Sequence, residues 1–208
     1  DSKLTDLAQD RLNNLTKPLG SLGRLEELAR QIVGITSKEK PEFKNKVIFT
    51  LASDHGVTEE KVSVYPKEVT AQMVYNFLRG GAGINVLAKH IGARVIVVDM
   101  GVAEKINPAK GGTKFKNFKD KKINYGTRNM TKGPAMTKIE AIRSIETGIE
   151  LFREEMAIGI DIVGTGEMGI GNTTASSAVT ACFTKKPVAD VTGKGTGLND
   201  KALENKIK

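Results

Sequence analysis

The sequence predicts an α/β protein built around a parallel sheet. Three short apolar runs rich in β-branched residues, at 47–52, 95–100 and 158–163, are continuous rather than alternating, as in parallel strands buried on both faces. Helical patterns lie between the runs, and each run leads into a polar or glycine-containing turn. Because strand and helix alternate along the chain, the sheet is expected to be parallel with helices on its faces.

The first 40 residues predict a helical arm ahead of this sheet. Leu4, Leu7 and Leu12 have near-helical spacing, and a second helix is predicted to begin near Ser21, its candidate N-cap. The segment 16–20, which contains a proline and a glycine, separates the two helices. We therefore expect residues 1–40 to form part of a small helical domain and residues 41–208 to form the α/β domain.

Three further helices are predicted within the α/β domain, at 67–78, 84–91 and 138–157. In parallel α/β sheets, ligands bind at the carboxyl ends of the strands. The turns after the three predicted strands, at 53–56, 99–101 and 164–171, should therefore converge on one crevice.

The segment 164–174, with the sequence GTGEMGIGNTT, is the most informative part of the chain. Four of its first eight residues are glycine, and a small-residue helix is predicted to follow. Glycines let the backbone approach a ligand closely, and the free N–H groups of a helix start attract anions. Thr173 and Thr174 add hydroxyl groups, and either is a candidate cap. The segment predicts a phosphate site, and a second glycine cluster at 192–197 is of the same type.

Glu167 does not suit a phosphate cradle, because a carboxylate repels an anion at close range. We expect it to face another part of the ligand: a ribose hydroxyl, a cationic ring or a transferable proton.

Composition narrows the range of partners. The net charge of +8 favours attraction of phosphorylated metabolites, and seven lysines lie in the segment 105–122. A solvated loop is the favoured interpretation of that segment over a polyanion patch, because arginine is scarce there and no helical period is present. The absence of tryptophan also leaves few platforms for stacking nucleic-acid bases.

Cysteine and histidine give no sign of a metal site or a disulfide. Cys182 is the only cysteine and is expected to be a small buried residue of a helix, while His55 and His90 lie far apart. No apolar run has the length of a membrane span, and no signal peptide is visible. These features predict a cytoplasmic protein.

Six motifs together resemble those of one family and occur in the family's order. They are LTKPLGSLGRL at 15–25, DHGV at 54–57, YPKEVTAQM at 65–73, VDMGV at 98–102, GPAM at 133–136 and GEMGIGNTT at 166–174. With them, the chain resembles the nicotinate-nucleotide:dimethylbenzimidazole phosphoribosyltransferases over nearly its whole length.

The resemblance implies a Rossmann-like parallel α/β domain with a small helical domain to which the N-terminal helices contribute. It implies transfer of the phosphoribosyl group from nicotinate mononucleotide to 5,6-dimethylbenzimidazole or a related base. The products would be nicotinate and α-ribazole 5′-phosphate, used for the lower ligand of cobalamin. It also implies a homodimer with small-molecule substrates, no metal or redox cofactor, and neither nucleic acid nor membrane as a partner.

The resemblance also implies roles for individual residues. Glu167 would assist catalysis, and the acceptor pocket would lie near Tyr65, Gln72 and Met73. Some members have a small hydroxyl residue and a glutamine where this chain has Tyr65 and Met73, which leaves the preferred acceptor open. Met73 is equally well interpreted as a core residue, and Asp54 and His55 either line the crevice or form a plain turn. The donor and its phosphate would be bound by Gly169, Gly171, Asn172, Thr173, Gly193, Gly195 and Lys206.

The family's main general base is a glutamate in a downstream Gly-Glu-Gly type of motif, beyond Lys208. We therefore expect that more of the polypeptide exists, or that this chain is a truncated form. Two alternatives stay open from the residues: a phosphorylase or nucleotide hydrolase on the same sheet, and a non-catalytic binder of phosphorylated ligands or polyanions. A Walker-type NTPase is disfavoured, because neither glycine loop is followed by Gly-Lys-Ser/Thr.

Overall fold

The computed structural model describes residues 2–107 and 115–208. Its contacts divide the chain into two compact units, the first ending at Lys44 and the second running from Asn45 to Lys208. No helix in these described ranges is long and apolar enough to cross a membrane. Lys110 and Lys114, two of the lysines of the basic segment, lie outside the described residues.

The first unit contains two packed helices, α1 (Ser2–Asn13) and α2 (Arg24–Thr36). The prediction that Ser21 caps the second helix is wrong: Gly23 is the N-cap, and it makes no side-chain capping hydrogen bond. Gly20 and Gly23 both have positive φ angles, so a turn occupies this stretch and delays the start of the helix. That this unit belongs to a separate small helical domain stays a prediction.

The second unit is an α/β fold with a four-stranded parallel sheet, which confirms the predicted fold class. The strand order is β3-β2-β1-β4, with β1 Lys46–Ser53, β2 Ala93–Gly101, β3 Phe118–Asp120 and β4 Ile162–Met168. The helices are α3 Val69–Arg79, α4 Gly83–Ile91, α5 Lys138–Ile158, α6 Asn172–Thr184, α7 Val188–Val191 and α8 Asp200–Ile207, with a short 3₁₀ helix at Gly56–Glu60.

The sheet separates two apolar clusters. Successive residues of β2 point to opposite faces, so that Val95 and Val97 join one cluster while Ile96 and Val98 join the other. Tyr75 of α3 lies in the first cluster and Leu151 of α5 in the second. Burial on both faces explains why β1 and β2 are continuously apolar.

The third predicted strand, at 158–163, is misplaced. α5 continues to Ile158, Gly159 is its C-cap with φ 116, and the strand begins only at Ile162. The strand then runs through the first glycines of the GTGEMGIGNTT segment, because this stretch pairs with β1, with Gly166 opposite Thr50. Pairing with a neighbouring strand thus overrides the turn preference of glycine. Glu167 consequently lies on β4 rather than in a turn.

From residue 118 onwards the lysine-rich segment differs from the predicted solvated loop, whereas residues 102–107 and 115–117 lie outside helices and strands. It contains β3, which pairs with β2, and the lysines on and after this strand bind carboxylates. Lys119 Nζ lies 2.7 Å from a Glu154 oxygen, and Lys122 Nζ lies 2.8 Å from an Asp99 oxygen. Burial alone would lower the pKa of Lys119, but its hydrogen bonds to Glu154 and Glu155 raise it overall.

The prediction that Cys182 is buried is also wrong, because the thiol is exposed. The buried residues of α6 are Thr174 and Ser177, near its start, whereas Cys182 lies in the last turn of the helix.

Candidate active site

The carboxyl ends of β1, β2 and β4 share one cavity of about 360 Å³, which confirms that the predicted turns converge. β1 contributes Ser53 and the following His55, β2 contributes Met100 and Gly101, and β4 contributes Glu167. The remaining lining residues are Leu51, Ile123, Asn124, Gly126, Thr127, Ala135, Met136, Glu140, Ser144 and Ile145. The cavity is therefore largely apolar, with a few polar groups at one end of the sheet.

Two carboxylates line this cavity, and they differ in how far their oxygens are already occupied. Glu140 accepts hydrogen bonds from the Thr137 N–H at 2.6 Å and from Asn124 Nδ2 at 2.6 Å. These hydrogen bonds, that from Thr137 first, lower the pKa of Glu140 to about 2. Glu140 is thus an ionised carboxylate that caps the start of α5. Both of its oxygens already accept hydrogen bonds from other residues.

Glu167 is the carboxylate that is available to a ligand. It lies opposite Leu51 in the parallel register, near the end of β4, and its side chain is 44% exposed. One of its oxygens, Oε1, lies 3.4 Å from His55 Nε2. A half-exposed carboxylate at the carboxyl edge of the sheet can accept a hydrogen bond or a proton from a bound molecule.

The turn between β4 and α6 packs tightly against the loop after β1. A Cβ atom on Gly169 would overlap the Ser53 carbonyl oxygen and lie 2.7 Å from His55 Nε2. Gly171 has φ +87, and a Cβ there would lie 3.0 Å from the Thr58 methyl group. Both glycines are therefore required by protein packing, and a donor-binding role for them stays a prediction.

The start of α6 uses its own backbone donors. The Asn172 N–H donates to the Gly169 carbonyl at 3.0 Å, and the Thr173 N–H donates to Asn172 Oδ1 at 2.8 Å. Gly171 is the N-cap, so the expectation that Thr173 or Thr174 caps the helix is wrong. An anion at this helix end would meet side-chain donors in place of these N–H groups.

Lys206 of α8 joins the two glycine-rich segments. Its Nζ donates to Thr173 Oγ1 at 2.7 Å and to the Gly193 carbonyl at 3.1 Å. A Cβ on Gly195 would lie 3.1 Å from Thr173 Oγ1 and 3.4 Å from Lys206 Nζ, so this glycine makes room beside the ammonium group. The structure thus brings four of the predicted donor-binding residues together.

The electrostatics of Lys206 point to an anion. The residue is 7% exposed, and burial lowers the pKa of its ammonium group. Both hydrogen-bond partners are neutral, and within residues 2–107 and 115–208 no carboxylate forms an ion pair with it. A buried cation without a counter-ion is costly, and a bound phosphate would offset that cost.

The predicted acceptor residues are not brought to this cavity. Tyr65 is 52% exposed and Gln72 is exposed, while the sulfur of the half-buried Met73 accepts a contact from Asn76 Nδ2 at 3.9 Å. None of the three lines the cavity that contains Glu167. α3 does reach the glycine turn through Thr70, whose Oγ1 accepts the Ile170 N–H at 3.1 Å. The acceptor assignment stays a prediction.

Sequence reasoning missed several residues of the cavity. Glu140 follows Thr137 by three residues, a capping-box spacing that would have marked it. Met136 belongs to the GPAM motif, one of the six family motifs, but the resemblance implied no role for it. No local sequence pattern marked Ile145 as a cavity residue. In the described part of the chain, no cluster of three or more His, Cys, Asp or Glu side chains is suited to a metal ion.

Comparison with known proteins agrees with the motifs. The family model DBI_PRT, described as phosphoribosyltransferase, matches residues 1–208. The chain is 56% identical over 208 residues to the nicotinate-nucleotide–dimethylbenzimidazole phosphoribosyltransferase of Geobacter sulfurreducens, covering 100% of this chain and 57% of that protein. It is 50% identical over 207 residues to the protein of the same name from Roseiflexus castenholzii, again covering 57% of the relative.

A solved structure is similar to this chain as well. CobT from Thermus thermophilus superposes with a TM-score of 0.90 at 40% identity, covering 99% of this chain and 60% of that one. The chain thus spans somewhat more than half the length of the relatives it matches. The resemblance stated from the motifs is confirmed, and the chain belongs to the DBI_PRT phosphoribosyltransferase family.

Proposed function

We propose that the protein transfers the phosphoribosyl group of nicotinate mononucleotide to 5,6-dimethylbenzimidazole or a related base, giving α-ribazole 5′-phosphate and nicotinate. The family and the names of the relatives support this activity. The structural observation that carries it is the buried Lys206 ammonium group, which meets Thr173 only six residues after Glu167 in the sequence. The proposed phosphate-binding residue Thr173 and the available carboxylate of Glu167 are thus connected by one short turn.

The donor phosphate is proposed to bind at Lys206 and Thr173, next to Gly193 and Gly195. The Lys206 ammonium group would supply the opposite charge, and the Thr173 hydroxyl would donate a further hydrogen bond. Gly169, Gly171 and Asn172 complete the proposed donor site by fixing the turn that carries Thr173. The packing of this turn requires glycine at positions 169 and 171.

The reaction itself is a substitution at C1′ of the ribose. A lone pair of a benzimidazole nitrogen forms the new bond to C1′, and the bond to the pyridinium nitrogen breaks with its electron pair going to that ring. Nicotinate therefore leaves with a neutral pyridine nitrogen. Attack from the face opposite the leaving group converts a β-nucleotide into an α-nucleotide.

The proton on the second benzimidazole nitrogen must be lost, and a carboxylate base accepts it. Glu167 is proposed to assist this step, because it is the cavity carboxylate whose oxygens are not saturated with donors. Positioning of the two rings and the ribose would supply much of the remaining rate enhancement. A main general base further along the polypeptide, as the resemblance implies, stays a prediction.

The acceptor pocket is proposed near Tyr65, Gln72 and Met73. The supporting observation is that α3, which carries Gln72 and Met73, is hydrogen-bonded through Thr70 to the turn that follows Glu167. Replacing Met73 by alanine should change the KM for the acceptor base and leave the KM for nicotinate mononucleotide unchanged. The reverse pattern would place the acceptor elsewhere.

We further propose a cytoplasmic homodimer without nucleic-acid partners. An exposed apolar row on α5 supports burial of this face in an assembly; it comprises Ile139, Ile142, Ile145, Ile149, Phe152 and Met156. Lys119, Lys121 and Lys122 are paired with carboxylates, which reduces their attraction for polyanions. Sedimentation velocity should give a dimer mass, and DNA should not change it at moderate salt.

The test of the activity is nicotinate release measured with and without the acceptor. The full-length protein should release nicotinate from nicotinate mononucleotide only when 5,6-dimethylbenzimidazole is present. Release without any acceptor would indicate a nucleotide hydrolase. Binding of the mononucleotide with no release under either condition would indicate a non-catalytic binder.

A further inference from the structure

Besides its two carboxylates, the cavity contains a titratable side chain that the proposed function does not use, His55. Its ring is 13% exposed, and Nε2 lies 3.4 Å from Glu167 Oε1. Nε2 is shielded from solvent and makes no hydrogen bond to any residue that the structure describes. A buried imidazole nitrogen beside a carboxylate oxygen is one short adjustment away from a hydrogen bond.

The backbone around His55 is fixed from several directions. The preceding Asp54 donates its N–H to the Gly101 carbonyl at 2.9 Å and accepts from the Thr127 N–H at 3.0 Å. The following Gly56 donates to Thr127 Oγ1 at 3.3 Å, and the His55 carbonyl itself accepts from Thr58 Oγ1 at 2.8 Å. The imidazole is thus carried by a rigid loop rather than by a mobile one.

Gly169 determines how close the ring can come to Glu167. A Cβ at this position would lie 2.7 Å from Nε2 and 2.8 Å from Cδ2 of His55, so any larger residue would displace this edge of the ring. Because position 169 is a glycine, the imidazole ring has room to lie beside the Glu167 carboxylate. His55 thus contacts two residues at the end of β4, Glu167 and Gly169, that are more than 100 positions away in the sequence.

We propose that His55 is a positioning residue for Glu167. Its Nε2–H donates to Oε1 and leaves the second carboxylate oxygen, Oε2, to face the bound substrate. Hydrogen bonds of this kind are often long in the empty site and tighten when substrate binds. The role of Glu167 in turnover rests on the proposed function, whereas the contact between the two side chains does not.

No other side chain in residues 2–107 and 115–208 donates a hydrogen bond to Glu167. Glu140 also lines the cavity, but it accepts hydrogen bonds from Thr137 and Asn124 and, as a carboxylate, has no proton to donate. The remaining wall combines apolar residues such as Leu51 and Met100 with the polar residues Ser53, Asn124, Thr127 and Ser144. In this proposal, removing His55 takes away the side chain that orients Glu167 towards the substrate.

Two substitutions test the role in turnover. His55→Leu removes the donor and should lower kcat by about 10- to 100-fold, the loss usual when a group that orients a functional side chain is removed. The KM for nicotinate mononucleotide should stay within about threefold. His55→Gln keeps an N–H donor near the position of Nε2 and should recover most of kcat. His90→Leu, at the exposed second histidine on α4, is the matched control and should behave as wild type.

A double-mutant cycle separates positioning from a general structural effect. In a Glu167→Gln background, His55→Leu should cause little further loss, because the two residues act through one contact. Full additivity of the two losses would overturn the proposal. So would a His55→Gln variant that is no better than His55→Leu.

A spectroscopic measurement tests the contact between His55 and Glu167 without relying on turnover. Nitrogen-15 NMR of the wild-type imidazoles, assigned with His55→Gln, should show the Nε2–H tautomer for His55, and Glu167→Ala should reduce its population. A predominant Nδ1–H tautomer in the wild type, or no response to Glu167→Ala, would overturn the proposal. Absence of transferase activity would contradict the proposed function alone and leave this measurement decisive for His55.

Discussion

Lys206 and Thr173, 33 positions apart in the sequence, meet at 2.7 Å between Nζ and Oγ1. This contact connects α8 to the first turn of α6 and lies beside Gly193 and Gly195 of the second glycine cluster. It places a buried cation next to a hydroxyl with no carboxylate to neutralise it in the described part of the chain. We interpret the pair as a phosphate site that forms with the fold.

Replacing Lys206 by methionine separates binding from stability. Loss of a charge-assisted hydrogen bond of about 1.5–3 kcal/mol should raise the KM for nicotinate mononucleotide by roughly 10- to 150-fold. The free energy of unfolding without ligand should not fall, because a buried ammonium group without a counter-ion contributes little. Steady-state kinetics and denaturant titration measure the two quantities.

The matched control for this substitution is Lys201→Met, on the exposed side of the same helix. It should leave both KM and stability unchanged. A Lys206→Met protein that unfolds more easily but binds the donor normally would show that the lysine is structural.

Replacing Glu167 by glutamine should affect the chemical step. The amide keeps the size of the side chain but not its negative charge, so it no longer assists loss of the acceptor's proton, and kcat should fall by about 100-fold or more. Donor affinity, measured by calorimetry, should change by less than about threefold. Unchanged kcat would contradict the role assigned to Glu167.

Gly169 should tolerate no side chain. Gly169→Ala places a methyl group against the Ser53 carbonyl and the His55 ring, which should destabilise the protein by about 1–3 kcal/mol. Gly193→Ala is the matched control, because nothing lies within 4 Å of its Cβ position. Chemical denaturation should therefore show a lower midpoint for the first variant only. Equal midpoints would mean that the packing of the β4–α6 turn is looser than described.

Glu140 should make the free energy of unfolding depend on pH in the acidic range. Hydrogen bonds from Thr137 and Asn124 lower its pKa from 4.5 to about 2. A carboxyl whose pKa is depressed by folding stabilises the protein above its unfolded pKa, and this contribution is lost as pH falls towards the folded value. Between pH 5 and pH 2, the wild type should lose more stability than Glu140→Gln does. Parallel curves of unfolding free energy against pH would contradict this assignment.

The fold class and the first two strands could be predicted from the sequence, because buried parallel strands are marked by continuous apolar runs. Val47 and Val95, for example, lie in such runs and are both buried in the sheet. The third strand was misplaced because its pairing with β1 extends over Gly164 and Gly166, where local preference favours a turn. β3 was missed because three residues within a lysine-rich segment give too short a pattern.

The kind of site could be predicted from the sequence, but the contacts between its residues could not. The density of glycine, threonine and glutamate at 164–174 marked a ligand loop, and Lys206 was found through the family resemblance alone. No local pattern could show that Gly169 faces His55, since the two are joined only by the packing of two strand ends. The burial of Lys206 likewise depends on the tertiary fold.

Identification of the reaction product would test phosphoribosyl transfer to an aromatic base without relying on any single residue. The full-length protein should be incubated with nicotinate mononucleotide and 5,6-dimethylbenzimidazole, and the products separated and identified by mass spectrometry against both anomers. We expect α-ribazole 5′-phosphate and nicotinate in equal amounts, formed only when both substrates are present. Ribose 5-phosphate and nicotinate formed regardless of the base, or no product despite bound donor, would contradict it.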